Sequence, residues 1–139
     1  MILVDTNVVS EPTRTRSDRR VVAWLDRQRT ETLFISTITV SEILFGIAAL
    51  PAGRRRSRLG EAFEREIERL FEGRILSFDL AAARAYASLM SGARARGLSL
   101  SMADGQIAAV AAASGLSVAT RDEAPFRAAG VNTVNPWTE

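Results

Sequence analysis

The alternation of short apolar segments with longer amphipathic ones is the feature that most constrains the fold of this chain. Each short segment is bounded by polar residues or glycine, as buried strands commonly are. Strands separated by helices form βαβ units, which cover both faces of a parallel sheet. The sequence therefore predicts an α/β protein with a mainly parallel central sheet. The candidate strands are residues 2–4, 33–35, 75–78, 116–119 and 131–134.

Capping residues mark where the intervening helices begin and end. Ser36 or Thr37 precedes an apolar stripe of helical spacing, and Pro51 stops the helix that follows. Gly97 and Gly115 follow two Ala-rich segments, as glycines at helix C-termini do. At 139 residues the chain can bury a core without disulfides, and we expect a single domain over residues 1–139.

The absence of three residue types removes several classes of reaction. The chain has no His, no Cys and no Lys, and all 18 of its basic residues are Arg. A Ser-His-Asp triad, a zinc site with His or Cys ligands and a P-loop lysine are therefore excluded. Carboxylate chemistry remains. The net charge of +2 says little about nucleic acid, because the distribution of charge matters more than its total.

Four acidic residues stand where a parallel sheet would bring them together. Asp5 directly follows the first strand and Asp122 closely follows the fourth. If these strands are neighbours, both acids lie at the carboxyl edge of the sheet, where ligands bind in open α/β folds. Glu42 and Asp104 lie early in helices among apolar neighbours, where a solvated acid has no need to be. We expect the four side chains to converge.

A cluster of carboxylates repels itself unless a cation offsets the charge. Oxygen ligands suit hard cations such as Mg²⁺ or Mn²⁺, which also bind substrate phosphate. Such a site predicts phosphodiester cleavage by a metal-activated water, which needs no histidine base. The polar residues that could orient the carboxylates are Thr6, Asn7, Ser41 and Thr120.

Each acid also has a purely structural interpretation. Asp5 is equally well explained as the N-cap of the next helix. Glu42 could pair with an arginine, and the positive end of its helix could stabilise Asp104. Asp122 is the least secure of the four, because Glu123 beside it could supply the same charge.

A basic cluster lies in the middle of the chain. Residues 53–57 are predicted to form a polar turn before a long helix that reaches Gly73. The cluster fits either contact with RNA phosphates or a solvated helix face. Its members are Arg54, Arg55, Arg56 and Arg58.

Four motifs occur in a characteristic order: MILVDTN at residues 1–7, ITVSE at 38–42, ADGQIAA at 103–109 and VATRD at 118–122. Their order and spacing resemble those of PIN-domain toxins of the VapC type, most closely the FitB-like branch. VVSEP near the start and NPW near the end extend the similarity over the whole chain. Many VapC-type sequences carry a further acid three residues past the position of Asp122, where this chain has Pro125.

The resemblance implies a three-layer α/β/α PIN fold, with Mg²⁺ or Mn²⁺ bound by Asp5, Glu42, Asp104 and Asp122. It further implies the toxin component of a type II toxin–antitoxin system. Such a toxin is a cytoplasmic endoribonuclease and usually a homodimer. A small antitoxin neutralises it, and operator DNA is reached only through the antitoxin complex.

The lysines that some relatives place around the groove are absent here, so arginines such as Arg121, Arg94 or Arg96 would have to hold phosphates. A catalytically weak PIN-like module that binds RNA and acts mainly in an antitoxin/operator-DNA complex is the alternative function. A phosphatase with Asp5 as nucleophile is disfavoured, because the chain lacks Lys and a second Asp two residues later. No segment has the length of a membrane span, and the N-terminus lacks the features of a secretory signal, so we expect a cytoplasmic protein.

Overall fold

A computed structural model describes residues 1–139 and contains one five-stranded sheet. The strand order is β3-β2-β1-β4-β5, and every pairing is parallel. The predicted parallel α/β architecture is therefore confirmed. The outer strands β3 and β5 are shorter than the apolar segments that predicted them, because an edge strand pairs on one side only. The strands are β1 (Ile2–Val4), β2 (Leu33–Ser36), β3 (Ile75–Leu76), β4 (Ser117–Ala119) and β5 (Thr133–Val134).

Helices connect the strands and begin at the expected caps. Ser36 caps the helix after β2, with its Oγ accepting from the Thr39 N–H at 3.1 Å. Gly115 ends another helix in the left-handed conformation, with φ at 67°. None of the helices combines the length and the apolar composition that crossing a bilayer requires. The helices are α1 (Thr6–Ser10), α2 (Arg19–Arg27), α3 (Thr37–Ala48), α4 (Arg54–Phe71), α5 (Leu80–Ala95), α6 (Met102–Ser114) and α7 (Ala124–Ala128).

The predicted polar turn at residues 53–57 is wrong, because α4 already begins at Arg54. Arginine is a good helix former, so the segment between α3 and α4 is limited to residues 49–53. The basic cluster therefore occupies the start of α4. Its charges there oppose the positive end of the helix dipole, which is unfavourable for the helix alone.

The core has two halves, one on each face of the sheet. Leu3 of β1 packs into the half formed with α5, α6 and α7, whereas the next residue, Val4, packs into the half formed with α1, α2 and α4. Successive strand residues point to opposite faces, so even a three-residue strand contributes to both halves. Both tryptophans belong to the second half, as core residues rather than exposed platforms. The result is the three-layer arrangement that the resemblance implied.

The contact between α5 and α6 is close at Gly105. A Cβ added at this glycine would lie 2.7 Å from Met90 Sδ and 3.0 Å from the ring of Tyr86. Both distances are shorter than ordinary van der Waals contact. The Tyr86 ring itself packs edge-on against Phe78, with 6.0 Å between the ring centroids. Gly105 therefore fixes how closely α6 approaches α5.

Gly105→Ala is expected to destabilise the protein by about 1–2 kcal/mol, because overpacking costs about 1–3 kcal/mol and the better helix propensity of Ala returns up to about 1 kcal/mol. Urea unfolding measures the change. Gly92→Ala is the matched control, since Gly92 also lies inside a helix but has nothing within 4 Å of the added Cβ. The control should be stabilised slightly. Equal stability of the two variants would contradict the close contact at Gly105.

Candidate active site

The candidate site lies where the order of strands changes direction. From β1 the chain builds β2 and β3 on one side, and then returns to place β4 and β5 on the other. Val4 and Ala119 are in register, so β1 and β4 end together. Asp5 directly follows β1, and its N–H donates to the Ala119 carbonyl at 2.9 Å. In open parallel sheets such a switch point is where ligands bind, at the carboxyl edge.

Asp5 is a buried carboxylate, with only 6% of the residue exposed. Its Oδ1 accepts from the Thr6 N–H at 2.7 Å, which caps α1. Its Oδ2 accepts from Thr120 Oγ1 at 2.8 Å. The capping interpretation is therefore correct for one oxygen, but a cap alone explains neither the burial nor the second hydrogen bond.

The electrostatics of Asp5 set it apart from the other acids. Burial raises its pKa from 3.8 to about 6, although the hydrogen bonds from Thr120 and Thr6 act in the opposite direction. The negative charges of Asp104 and Glu42 raise the pKa further. These two acids are therefore near enough to act on Asp5.

Glu42 is an exposed residue of α3 that is tied to the start of α1. Thr6 Oγ1 donates to Glu42 Oε1 at 2.8 Å and lies 3.3 Å from Thr39 Oγ1. Thr39 is fully buried, and the sequence reasoning missed it. Its signal was a polar residue on the buried face of α3, three positions before Glu42. Thr6 thus contacts two of the predicted acids, through its N–H and its hydroxyl.

Asp104 is the third residue of α6 and is partly exposed. Its N–H donates to Oγ of Ser101, the residue that caps this helix, at 3.1 Å. The start of α6 therefore places this carboxylate near Asp5, where it raises the pKa of that group. Of the other three predicted acids, Glu42 and Asp104 thus lie near enough to Asp5 for their charges to raise its pKa.

Asp122 lies on the exposed loop after β4. Its backbone carbonyl, rather than its carboxylate, accepts from Thr120 Oγ1 at 3.4 Å. The neighbouring Glu123 is already engaged, because it accepts from Thr133 Oγ1 at 2.7 Å and pairs with Arg127 at 3.1 Å. Glu123 is therefore a poor substitute for Asp122, and the role of Asp122 stays a prediction.

The remaining candidates divide into those that touch the site and those that do not. Asn7 Oδ1 accepts from the Arg121 N–H at 3.4 Å, next to Thr120. Ser41 only donates to the Ile38 carbonyl within its own helix, at 2.7 Å. The guanidinium of Arg96 donates to the carbonyls of Gly92 and Ala128, which ties it to a helix end.

An open groove of about 760 Å³ lies beside the site, between α1, α3 and α4. Its wall is mostly apolar. On α3 the lining residues are Ile43, which directly follows Glu42, and Ile47. Arg14, Arg16 and Arg55 also line it. Its other apolar residues include Val9 of α1, Pro12 just after α1, and Leu59 and Phe63 of α4.

The fold is that of a PIN domain, and a PIN domain model matches residues 2–131. The chain belongs to this family. It is 51% identical to VapC ribonuclease Y4jK of Sinorhizobium fredii over 99% of this chain and 98% of that protein. It is 48% identical to toxin FitB of Neisseria gonorrhoeae over 99% of each. The resemblance to VapC-type toxins of the FitB-like branch is confirmed.

A solved structure agrees with these relatives. FitAB bound to an IR36 DNA fragment has a TM-score of 0.94 and 47% identity, and the match covers 99% of this chain and 96% of that one. The three-layer fold expected from the resemblance is therefore confirmed.

Proposed function

We propose that this chain is the toxin of a type II toxin–antitoxin system and that it cleaves RNA phosphodiester bonds with Mg²⁺ or Mn²⁺. The names of the two relatives, a ribonuclease and a toxin, support this function. The observation that carries the chemistry is the buried Asp5, at the switch point of the sheet, under the charges of Glu42 and Asp104. The proposed nucleophile is a water molecule. The proposed location is the cytoplasm.

The chemistry of the four acids fits a divalent cation. They offer only oxygen atoms, and a positive ion would relieve the repulsion that raises the pKa of Asp5. No three acidic residues are gathered closely enough to hold a metal ion by themselves. This suits Mg²⁺, which keeps several waters and binds through one or two carboxylates together with substrate phosphates. We propose that the residues which would hold the cation belong to the set Asp5, Asp104, Glu42 and Asp122, some of them directly and the others through waters, with substrate phosphate completing the coordination.

A cation bound there would neutralise the phosphate charge and make a water easier to deprotonate, so that it could attack phosphorus at neutral pH. The protein supplies orientation. Thr120 and the Thr6 N–H hold the two oxygens of Asp5, while the Thr6 hydroxyl holds Glu42. Because these donors are fixed by the ends of β4 and β1, the carboxylates need little rearrangement before a phosphate binds.

The experiment that tests this function is cleavage of a panel of single-stranded and stem-loop RNAs with Mg²⁺, with Mn²⁺ and with EDTA. We expect cleavage with either metal and none with EDTA. Calorimetric titration with Mg²⁺ accompanies the panel. A protein that binds RNA, takes up no metal and cleaves nothing would be the binding module instead.

We further propose that the antitoxin docks in the groove between α1, α3 and α4. An apolar wall lined in part by arginines fits a segment with apolar and acidic side chains. Ala62 lies in this groove, so Ala62→Arg should fill it and weaken the complex by about a hundredfold, the effect of a central interface residue. Binding of the cognate antitoxin, once it has been identified, measures this. Ala81→Arg, on the exposed face of α5, should bind normally; equal binding by both variants would contradict the assignment.

A further inference from the structure

Arg121 is anchored beside the acid cluster. It follows Thr120, whose hydroxyl donates to Asp5. Its N–H donates to Asn7 Oδ1 at 3.4 Å, and its carbonyl accepts from Asn135 Nδ2 at 3.3 Å. The backbone of Arg121 is therefore held on both sides, at a fixed position relative to Asp5.

The side chain of Arg121 is held as well. Its guanidinium carbon lies 5.4 Å from the centre of the Trp137 ring. Trp137 is itself 7% exposed, and its N–H donates to Asn135 Oδ1 at 3.0 Å. Contact with an aromatic face restricts the guanidinium, and Arg121 remains exposed to solvent. Asn135 thus binds the backbones of both Arg121 and Trp137.

The charge of Arg121 is not neutralised by an ion pair. The five ion pairs of the structure use Arg14, Arg20, Arg29, Arg69 and Arg127. Hydrogen bonds from Arg20 lower the pKa of Asp18, and the charge of Arg121 adds a smaller effect. The carboxylate of Asp18 is already bound by Arg20 at 2.8 Å, so it does not occupy Arg121.

We propose that Arg121 binds an RNA backbone phosphate next to the cleavage site. This inference rests on the proposed ribonuclease function. An oriented, unpaired guanidinium binds a phosphate in bidentate fashion, and it loses little entropy in doing so. Asp18 caps α2, and Trp137 packs in the same half of the core as α2. Arg121 therefore lies near both the acid cluster and the start of α2.

The test is binding of a short fluorescent single-stranded RNA in EDTA, which prevents metal-dependent cleavage, at increasing KCl concentrations. Each phosphate contact on a single strand contributes about 0.7 to the slope of log affinity against log salt. Arg121→Gln should lower this slope by about 0.7 and weaken binding about tenfold, as expected for a charge-assisted contact. Arg121→Lys should keep the slope but bind more weakly, because it keeps the charge and loses the planar stacking.

Arg27→Gln is the matched control. Arg27 is exposed, forms none of the ion pairs and ends α2, which leads toward the start of β2 at the opposite edge of the sheet. It should bind like the wild type. An unchanged slope in Arg121→Gln, or an equal change in Arg27→Gln, would overturn the proposal. Thermal melts confirm that all three variants are folded.

A cleavage assay separates this proposal from the proposed function. If the wild type cleaves RNA, Arg121→Gln should raise KM about tenfold with little change in kcat, since it removes a binding contact. An unchanged KM would overturn the role of Arg121 and leave the ribonuclease intact. If the wild type cleaves nothing but Arg121→Gln still lowers the salt slope, the phosphate contact stands and the ribonuclease function falls.

Discussion

Asp5→Asn is expected to reduce metal-dependent RNA cleavage by about a thousandfold, or about 4 kcal/mol at about 1.4 kcal/mol per tenfold. The amide keeps the size of the side chain and can still accept from the Thr6 N–H, so the helix cap survives. It carries no negative charge, however, and is a much weaker ligand for Mg²⁺ or Mn²⁺. Initial rates on the most rapidly cleaved RNA of the panel measure the loss.

Asp26→Asn is the matched control for this change. Asp26 is an exposed acid of α2, outside the acid cluster, and its replacement should leave the rate unaltered. Asp104→Asn should resemble Asp5→Asn, because both carboxylates are proposed to hold the same cation. If Asp5→Asn and Asp104→Asn both retain the metal-dependent activity, the carboxylate mechanism is wrong.

The second large effect is on stability. Burial raises the pKa of Asp5 from 3.8 to about 6, so the folded chain binds a proton more tightly than the unfolded chain. The contribution of Asp5 to stability is then greatest below pH 4, falls as the pH rises between these two pKa values, and stays at its lower level above pH 6. The difference is of the order of 3 kcal/mol, a large fraction of the stability of a small domain. Urea unfolding in EDTA at a series of pH values measures it.

Comparison with the Asp5→Asn variant isolates this contribution from those of the other acids. The variant should lack this component of the pH dependence, and at neutral pH it should be more stable than the wild type. Asp26→Asn should retain the full dependence. Adding Mg²⁺ at neutral pH should stabilise the wild type and have little effect on Asp5→Asn, because a ligand that binds only the folded state adds to its stability. Parallel pH profiles for Asp5→Asn and the wild type would contradict the raised pKa.

The sequence was sufficient to predict the five strands, apart from the lengths of β3 and β5, and the position of Asp5 at the carboxyl edge of the sheet. Short apolar segments next to capping residues are local signals, and Asp5 and Asp104 stand directly beside them. The pairing of β1 with β4 was only a condition of that prediction, because the two strands are not consecutive, and the structure shows that it holds. The turn at residues 53–57 was predicted wrongly, because local polarity does not distinguish a loop from an exposed arginine-rich helix start.

Contacts between residues that are far apart in the chain could not be predicted from the sequence. Thr39 faces Thr6 across two elements, and only the packing of α1 against α3 shows that its hydroxyl adjoins the acid cluster. The sequence offered three candidate arginines for phosphate binding and gave no reason to prefer Arg121. Its selection depends on Trp137, which reaches it only after β5 has been added beside β4. Such contacts are set by tertiary geometry, which a pattern of residue types does not encode.

The shortness of β3 and β5 bears on how the protein can associate. These strands form both edges of the sheet, and each pairs with its neighbour through only two residues. An edge of this length offers few free backbone groups to an incoming strand, which protects the sheet against extension into an aggregate. A peptide that adds to a sheet by β-augmentation would gain little here. Specific association must therefore rely on side chains of the helices, so the recognition of partners can evolve on the helical surface without disturbing the sheet that holds Asp5.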